Sequence, residues 1–314
     1  MSSNKLYGRA RLLSAIVTLA AAAMVAQAAA SEAARLERFT HSDADYIALS
    51  LRPTGVVAEA GPRQVVILFD TSAGQAGAYR EKALEVLEGL LASLNEADRV
   101  QLMAVDTRTV SLTNGFVSGK SPELTQALAR LKARVPLGAT DLDAALTSVI
   151  AAVGEGETPT AVVYMGKGTS RANILTPDRV AELTGQLAAK RVSVNSYVVG
   201  LNPDRLLLGV LASKTGGTVL METAGVEAAA ETQALASAVR ATVYWPSEFK
   251  VPAQLELFPT PTPPLRSDRD TVLIGKLTGA AERLELEMKV AGPRGEEVLQ
   301  WTVNVGPSDP KNSF

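Results

Sequence analysis

Val65-Val66-Ile67-Leu68-Phe69-Asp70-Thr71-Ser72-Ala73-Gly74 runs through five apolar residues without a break, then meets an acid and two hydroxyls. A strand that is apolar at every position is buried on both faces, the condition of a parallel sheet covered by helices. In an open parallel sheet, ligands bind beyond the carboxyl ends of the strands, so Asp70-Thr71-Ser72 stands where a site would be. Similar runs recur at Arg99–Asp106, Ala161–Met165, Val192–Val199 and Thr218–Met221. Thr109–Thr113 follows the second run after one short turn, which suits a hairpin and an antiparallel edge strand.

Helical periodicity separates these runs. Leu84, Leu87, Leu91 and Leu94 form one stripe; Leu142, Ala145, Leu146, Val149, Ile150 and Val153 form another. A capping residue followed by Pro marks helix starts at Ser121-Pro122, Thr176-Pro177 and Asn202-Pro203, and Gly216-Gly217 suits a helix stop. The alternation predicts an α/β fold: a doubly wound, mostly parallel six-stranded sheet with helices on both faces, Rossmann-like in layout.

After Trp245 the pattern changes. The run Pro259-Thr260-Pro261-Thr262-Pro263-Pro264 is extended, and the strand-like runs Gln254–Phe258, Thr271–Leu277, Leu284–Val290 and Val298–Val305 flank it. Leu284, Leu286 and Met288 alternate with Glu285, Glu287 and Lys289, as in a small antiparallel, sandwich-like β unit with one buried face. Tyr46–Leu51 is a similar run ahead of the first core strand. The expected division is a leader at 1–30, an N-terminal β segment at 31–60 that joins the C-terminal unit, the α/β domain at 61–246, the β unit at 247–306 and a frayed tail at 307–314.

The leader reads as a secretory signal peptide. Lys5, Arg9 and Arg11 precede the apolar run Leu12–Val25, and Ala28-Ala29-Ala30 supplies small residues for cleavage. Export to the periplasm, the cell envelope or the medium is the expectation, with no membrane span after cleavage, because the run is short of the roughly 20 apolar residues a span needs. With Lys+Arg 31 against Asp+Glu 33, a nucleic-acid partner held by bulk charge is disfavoured. The chain has no Cys and a single His, His41, which removes disulfides, thiolate chemistry and His-dependent triads.

Two segments complement the first strand end. Gly138-Ala139-Thr140-Asp141-Leu142-Asp143-Ala144-Ala145-Leu146 enters a striped helix, and Met165-Gly166-Lys167-Gly168 ends the fourth strand. With Asp70-Thr71-Ser72, they make the chain from Pro62 to Tyr244 resemble the von Willebrand factor type A (vWA) domain family. The resemblance implies a protein-binding module with a metal-ion-dependent adhesion site for Mg²⁺ or Ca²⁺. That site uses an Asp-x-Ser-x-Ser loop, a Thr and a fourth-strand Asp. The β runs on either side resemble the layout of inter-alpha-trypsin inhibitor heavy chains.

Carried over by position, Asp70, Ser72 and Thr140 match three metal ligands, the second Ser falls on Gly74, and the fourth-strand Asp falls on Lys167. A divalent ion about 5 Å from an ammonium is repelled by about 6 kcal/mol at an effective dielectric of about 20. No cofactor is therefore expected, and Mg²⁺ or Ca²⁺ would be held only weakly. Lys167 is expected to stand near the vacated position and to pair with Asp70. Plain readings exist for each residue: Thr140-x-x-Asp143 is also a helix-capping pattern, Asp70 could cap the next helix or bond loop amides, Ser72 could be a turn residue, and Lys167 an ordinary solvated lysine. The same three residues could form a Ser/Lys hydrolase, but no Gly-x-Ser-x-Gly elbow surrounds Ser72. Gly166-Lys167-Gly168-Thr169 lacks the first Gly and the Ser or Thr after Lys of a phosphate loop. The favoured function is an exported protein-interaction or adhesion module that is not an enzyme, with a structural domain of the cell envelope as the alternative.

Overall fold

The structure, a computed structural model, describes residues 33–53, 61–154 and 158–313. The leader read at 1–30 lies outside the described residues. Among those described, no helix is long and apolar enough to cross a membrane.

The chain opens with a hairpin, β1 (Ala34–His41) and β2 (Ala44–Leu51), turning through Ser42 and Asp43 at positive φ. The open sheet follows. Its strands and helices are β3 (Gln64–Asp70), α1 (Ala78–Ser93), β4 (Arg99–Val105), β5 (Thr109–Ser111), β6 (Val117–Ser118), α2 (Pro122–Ala133), α3 (Leu142–Ala152), β7 (Thr160–Gly166), α4 (Pro177–Ala189), β8 (Val192–Val198), α5 (Arg205–Thr215), β9 (Val219–Met221) and α6 (Ala228–Arg240). Strand order is β5-β4-β3-β7-β8-β9, parallel from β4 to β9, with β5 and β6 antiparallel to β4.

The unbroken apolar runs serve two layers. Val65, Ile67 and Phe69 pack with α1, α2 and α6; Val66 and Leu68 pack on the other face with α3, α4 and α5. Successive residues of a strand point to opposite faces, so both must be apolar when both are covered. The caps at Ser121 and Thr176 form as the sequence suggests, each accepting from the backbone N–H three residues on. Gly216 is the left-handed helix stop, and a Cβ on Gly217 would run into the Val194 carbonyl. The start expected at Asn202-Pro203 is displaced. Asn202 lies at positive φ, and Asp204 instead caps α5 by accepting from Leu207 N at 2.9 Å.

Beyond α6 come β10 (Val243–Lys250), β11 (Leu255–Phe258), β12 (Leu265–Arg266), β13 (Thr271–Leu277), β14 (Arg283–Gly292) and β15 (Gly295–Asn304). They form two antiparallel sheets with the N-terminal hairpin, ordered β1-β2-β13-β11 and β12-β10-β14-β15. Strand β10 runs across residue 246, where the sequence reading sets its domain boundary. β2 pairs with β13 from Leu51↔Thr271 to Asp45↔Leu277, and Ile47, Leu49, Leu273, Leu286 and Trp301 meet in one apolar cluster. The tail is held rather than frayed: Thr40 N donates to Ser308 Oγ at 2.8 Å and Asp309 N to the Arg38 carbonyl at 3.0 Å. His41 is exposed and stacks on Phe39.

Arginines join the antiparallel sheets to the open sheet. Arg266, 1% exposed, donates to the Gly216 carbonyl at 2.8 Å and the Ala238 carbonyl at 2.9 Å, and its guanidinium is paired with Asp268. Those carbonyls lie at the ends of α5 and α6, where helices leave acceptors unpaired. Arg269 adds a bond to Thr218 Oγ1 at 2.8 Å.

Candidate functional site

Three loops converge at the carboxyl end of the open sheet. Leu137 N donates to the Thr71 carbonyl at 3.0 Å and Ala73 N to the Gly138 carbonyl at 3.1 Å, tying the loop after β3 to the one before α3. Arg171 N and Ala172 N donate to the Thr140 carbonyl at 3.0 and 3.1 Å, which brings in the loop after β7.

Asp70 sits at their meeting point and is fully buried. Its Oδ1 accepts from Ser72 N at 2.9 Å; its Oδ2 accepts from Thr140 Oγ1 at 2.9 Å and from the Tyr164 hydroxyl at 3.1 Å. A buried carboxylate is costly unless it is bonded, and here three neutral donors bond it. Burial pushes the Tyr164 phenol well up, and the Asp70 charge pushes it further against the opposing Gly168 N–H, so Tyr164 stays protonated and donates. The Tyr164 oxygen in turn accepts from Gly168 N at 3.1 Å. Gly166 is needed for this approach: a Cβ there would stand 2.6 Å from both the Asp70 Cβ and the Tyr164 hydroxyl.

The capping reading of Thr140 is set aside by this geometry. Asp141 caps α3, accepting from Ala144 N at 2.9 Å, which leaves the Thr140 hydroxyl to reach Asp70. Asp143 does not complete a capping box; it is bound by Arg179 through Nε and Nη2, at 2.8 Å for the closest pair.

Ser72 is buried and contributes its backbone N–H to Asp70. Gly74 is exposed, and the space above its Cα is taken by the Lys167 ammonium, which a Cβ on residue 74 would strike. The Lys167 backbone is anchored as well, its carbonyl accepting from Asp204 N at 2.9 Å. The expected ion pair with Asp70 is absent. Among the described residues, Lys167 Nζ makes no ion pair within 4.0 Å and no hydrogen bond, Ser72 Oγ included. The carboxylate is bonded instead by three neutral donors, Ser72 N, Thr140 Oγ1 and the Tyr164 hydroxyl.

A second acid escapes the sequence reading. Asp106, just past β4, accepts from Thr71 Oγ1 at 2.9 Å and from Arg134 Nη2 at 2.7 Å. Burial by itself would raise its pKa, but the bonds from Arg134, Thr71 and the Arg108 N–H outweigh burial and hold it below the ordinary value. Its position, directly after an apolar strand, is the signal that marks Asp70. Gln75, buried, donates to the Val199 carbonyl at 2.9 Å and closes the floor beside Lys167.

The profile of the von Willebrand factor type A domain family matches residues 63–220, half of the chain. The chain belongs to the von Willebrand factor type A domain family. Among solved structures, it is similar to a von Willebrand factor type A protein from Catenulispora acidiphila, at 12% identity and a TM-score of 0.56, covering 86% of this chain and 71% of that one. It is also similar to the ArnB paralog VWA2 of Sulfolobus acidocaldarius, at 15% identity and a TM-score of 0.52, covering 84% and 71%. The human COPII-coat protein Sec24c matches at 13% identity and a TM-score of 0.55 over 79% of this chain, which spans 44% of that protein. No curated protein sequence matches the chain. The open sheet of the type A domain is little more than half of the chain, so 84% and 86% coverage takes in much of the antiparallel sheets too. In the frame of this type A domain, Asp70, Ser72, Gly74, Thr140 and Lys167 all lie at the carboxyl end of the central strands.

Proposed function

We propose that the chain is a protein-interaction module whose type A domain works without a bound metal ion. The observation that carries this reading is the Lys167 ammonium standing over Gly74. A hard divalent cation needs several oxygen ligands from the protein, and here one hydroxyl position has no side chain and one carboxylate position bears a positive charge. Both Asp70 oxygens already accept from neutral donors. Among the described residues, no group of three or more Asp, Glu, His or Cys side chains comes together elsewhere to offer another metal site. The residues present do not fit Mg²⁺ or Ca²⁺.

The leader at 1–30 supports export, so the module would act in the periplasm, in the cell envelope or outside the cell. Titration of the mature chain with Mg²⁺, Ca²⁺ and Mn²⁺ by calorimetry tests the metal-free reading. The expected result is no binding heat and no change in melting temperature. Micromolar affinity for Mg²⁺ would overturn it.

A further inference from the structure

The sheet β1-β2-β13-β11 turns Leu49, Leu255 and Leu273 into the shared core, so the residues alternating with them face away from it. The pairing register lays these outward residues in rows. Phe258, Ile274, Ala48 and Glu37 form the middle row; Glu256, Lys276, Tyr46 and Phe39 lie on one side of it, and Val272, Ser50 and Arg35 on the other. Paired strand residues are about 5 Å apart and alternate residues along a strand about 7 Å. Phe258, Ile274 and Val272, 45%, 55% and 54% exposed, therefore belong to one apolar patch. The outer face of the other antiparallel sheet is dressed differently, with Lys250 paired to Glu287 and Lys289 to Glu248, both at 2.6 Å.

The charges around the patch stand at opposite corners. Glu256 and Lys276 share one end row, and Arg35 and Glu37 lie on β1 across the sheet. Arg35 and Glu37, both exposed, pair at 3.2 Å, and Glu37 also accepts from Asn312 at 3.2 Å. Lys276 stands over the Tyr46 ring, 5.6 Å from its centroid, and among the described residues neither Lys276 nor Glu256 makes an ion pair. Two cations and two anions leave no surplus charge for an acidic or basic partner.

These positions are self-complementary. Between corner residues the face is roughly 14 Å in each direction. A two-fold axis lying against the face, along the diagonal through Phe39, exchanges the other two corners. It sets Glu256 against Arg35 of a second copy, Lys276 against Glu37 of that copy, and Phe258 beside its Val272. The strands of the two faces then cross near 90°, one of the two ways in which sheets pack. We infer that this face docks the same face of a second copy of the chain, sheets crossed, around Phe258, Ile274 and Val272. Each ion pair occurs twice in such an isologous contact. Four strands and three rows supply about 400 Å² from each copy, so about 800 Å² in all, which is less than a stable complex buries and gives a weak dimer.

The test is sedimentation velocity on the mature chain from about 1 to 500 µM, where the dimer should be half formed at tens of micromolar. Ile274→Asp should weaken association about tenfold or more, with the melting temperature of dilute protein unchanged. Glu256→Arg and Arg35→Glu should each weaken it about tenfold, and the two together should restore it. That charge exchange decides the question even if Ile274→Asp fails to fold. A chain that stays monomeric throughout, a dimer indifferent to Ile274→Asp, or a charge exchange that restores nothing would overturn the inference. So would monomeric protein that floats with phosphatidylcholine vesicles and loses them on Ile274→Asp, a result that would give the face to a lipid surface.

Discussion

The Lys167 ammonium fills the space that any side chain at residue 74 would enter, so the two positions are coupled although they lie on different loops. Gly74 is not at positive φ, and what a Cβ would meet is the flexible end of a lysine. Gly74→Ser alone should therefore cost under about 1 kcal/mol, with the lysine swinging aside. Combined with Lys167→Asp, it restores two hydroxyls, the Thr and two carboxylates. That double variant should gain a Mg²⁺- or Mn²⁺-dependent rise in melting temperature. At a cation concentration of 100 times Kd, linkage gives about 2.7 kcal/mol. A double variant indifferent to both cations would show that the loops no longer hold metal-ligating geometry.

Tyr164 should be the most sensitive hydroxyl at the site. Tyr164→Phe removes a donor from the buried Asp70 and an acceptor from Gly168 N in one step. An unsatisfied buried polar group costs about 1–3 kcal/mol, so urea unfolding should report a loss in that range. The paired variant Tyr164→Phe with Asp70→Asn should lose less than the sum of the singles, because the two share one bond. Strict additivity would argue against the contact.

Asp106 sets a pH dependence whose sign follows from its depressed pKa. A carboxylate held below its unfolded value stabilises the fold above that value and loses the contribution as pH falls through the folded pKa. Wild-type protein should thus exceed Asp106→Asn in stability at neutral pH, and the gap should close below a pH of about 4. Thermal melts of both proteins from neutral to acid pH check this. A gap constant with pH would mean that the loss in Asp106→Asn is steric and not electrostatic.

The open sheet was legible because its central strands β3 and β7 are apolar at nearly every position. The run read as Val65–Asp70 is the strand Gln64–Asp70, and Ala161–Met165 is the core of Thr160–Gly166. The site was less legible because its bonds join residues far apart in sequence. Thr140-Asp141-Leu142-Asp143 offers two adjacent capping side chains. Which one turns inward is decided by Asp70, 70 residues earlier, and not by the local pattern. Tyr164 reads as one more apolar residue of its strand, since nothing local tells a hydroxyl that meets an acid from one that does not. Strand β1 carries little strand signal, because its inward positions, Ala34 and Leu36, are outnumbered by polar ones. The family pattern puts Lys167 at the right loop, but the Thr140 and Tyr164 hydroxyls that bond Asp70 come from segments far along the chain and are not legible locally.

Leu49 is fully buried, lies opposite Leu273 in the β2–β13 pairing, and belongs to the cluster that includes Leu286 and Trp301. Strand β2 is thus central in its sheet, although some 200 residues of chain separate it from its partner. Leu49→Ala should cost about 2–5 kcal/mol, the range for a buried leucine whose cavity cannot fully collapse. The loss should spread beyond the hairpin, because the two antiparallel sheets share that core. Amide hydrogen exchange should accelerate in Thr271–Leu277 and Arg283–Gly292, while Gln64–Asp70 in the open sheet keeps its protection. A cost below about 1 kcal/mol, with exchange unchanged in β13 and β14, would mean that the hairpin is peripheral and that the later strands hold themselves together.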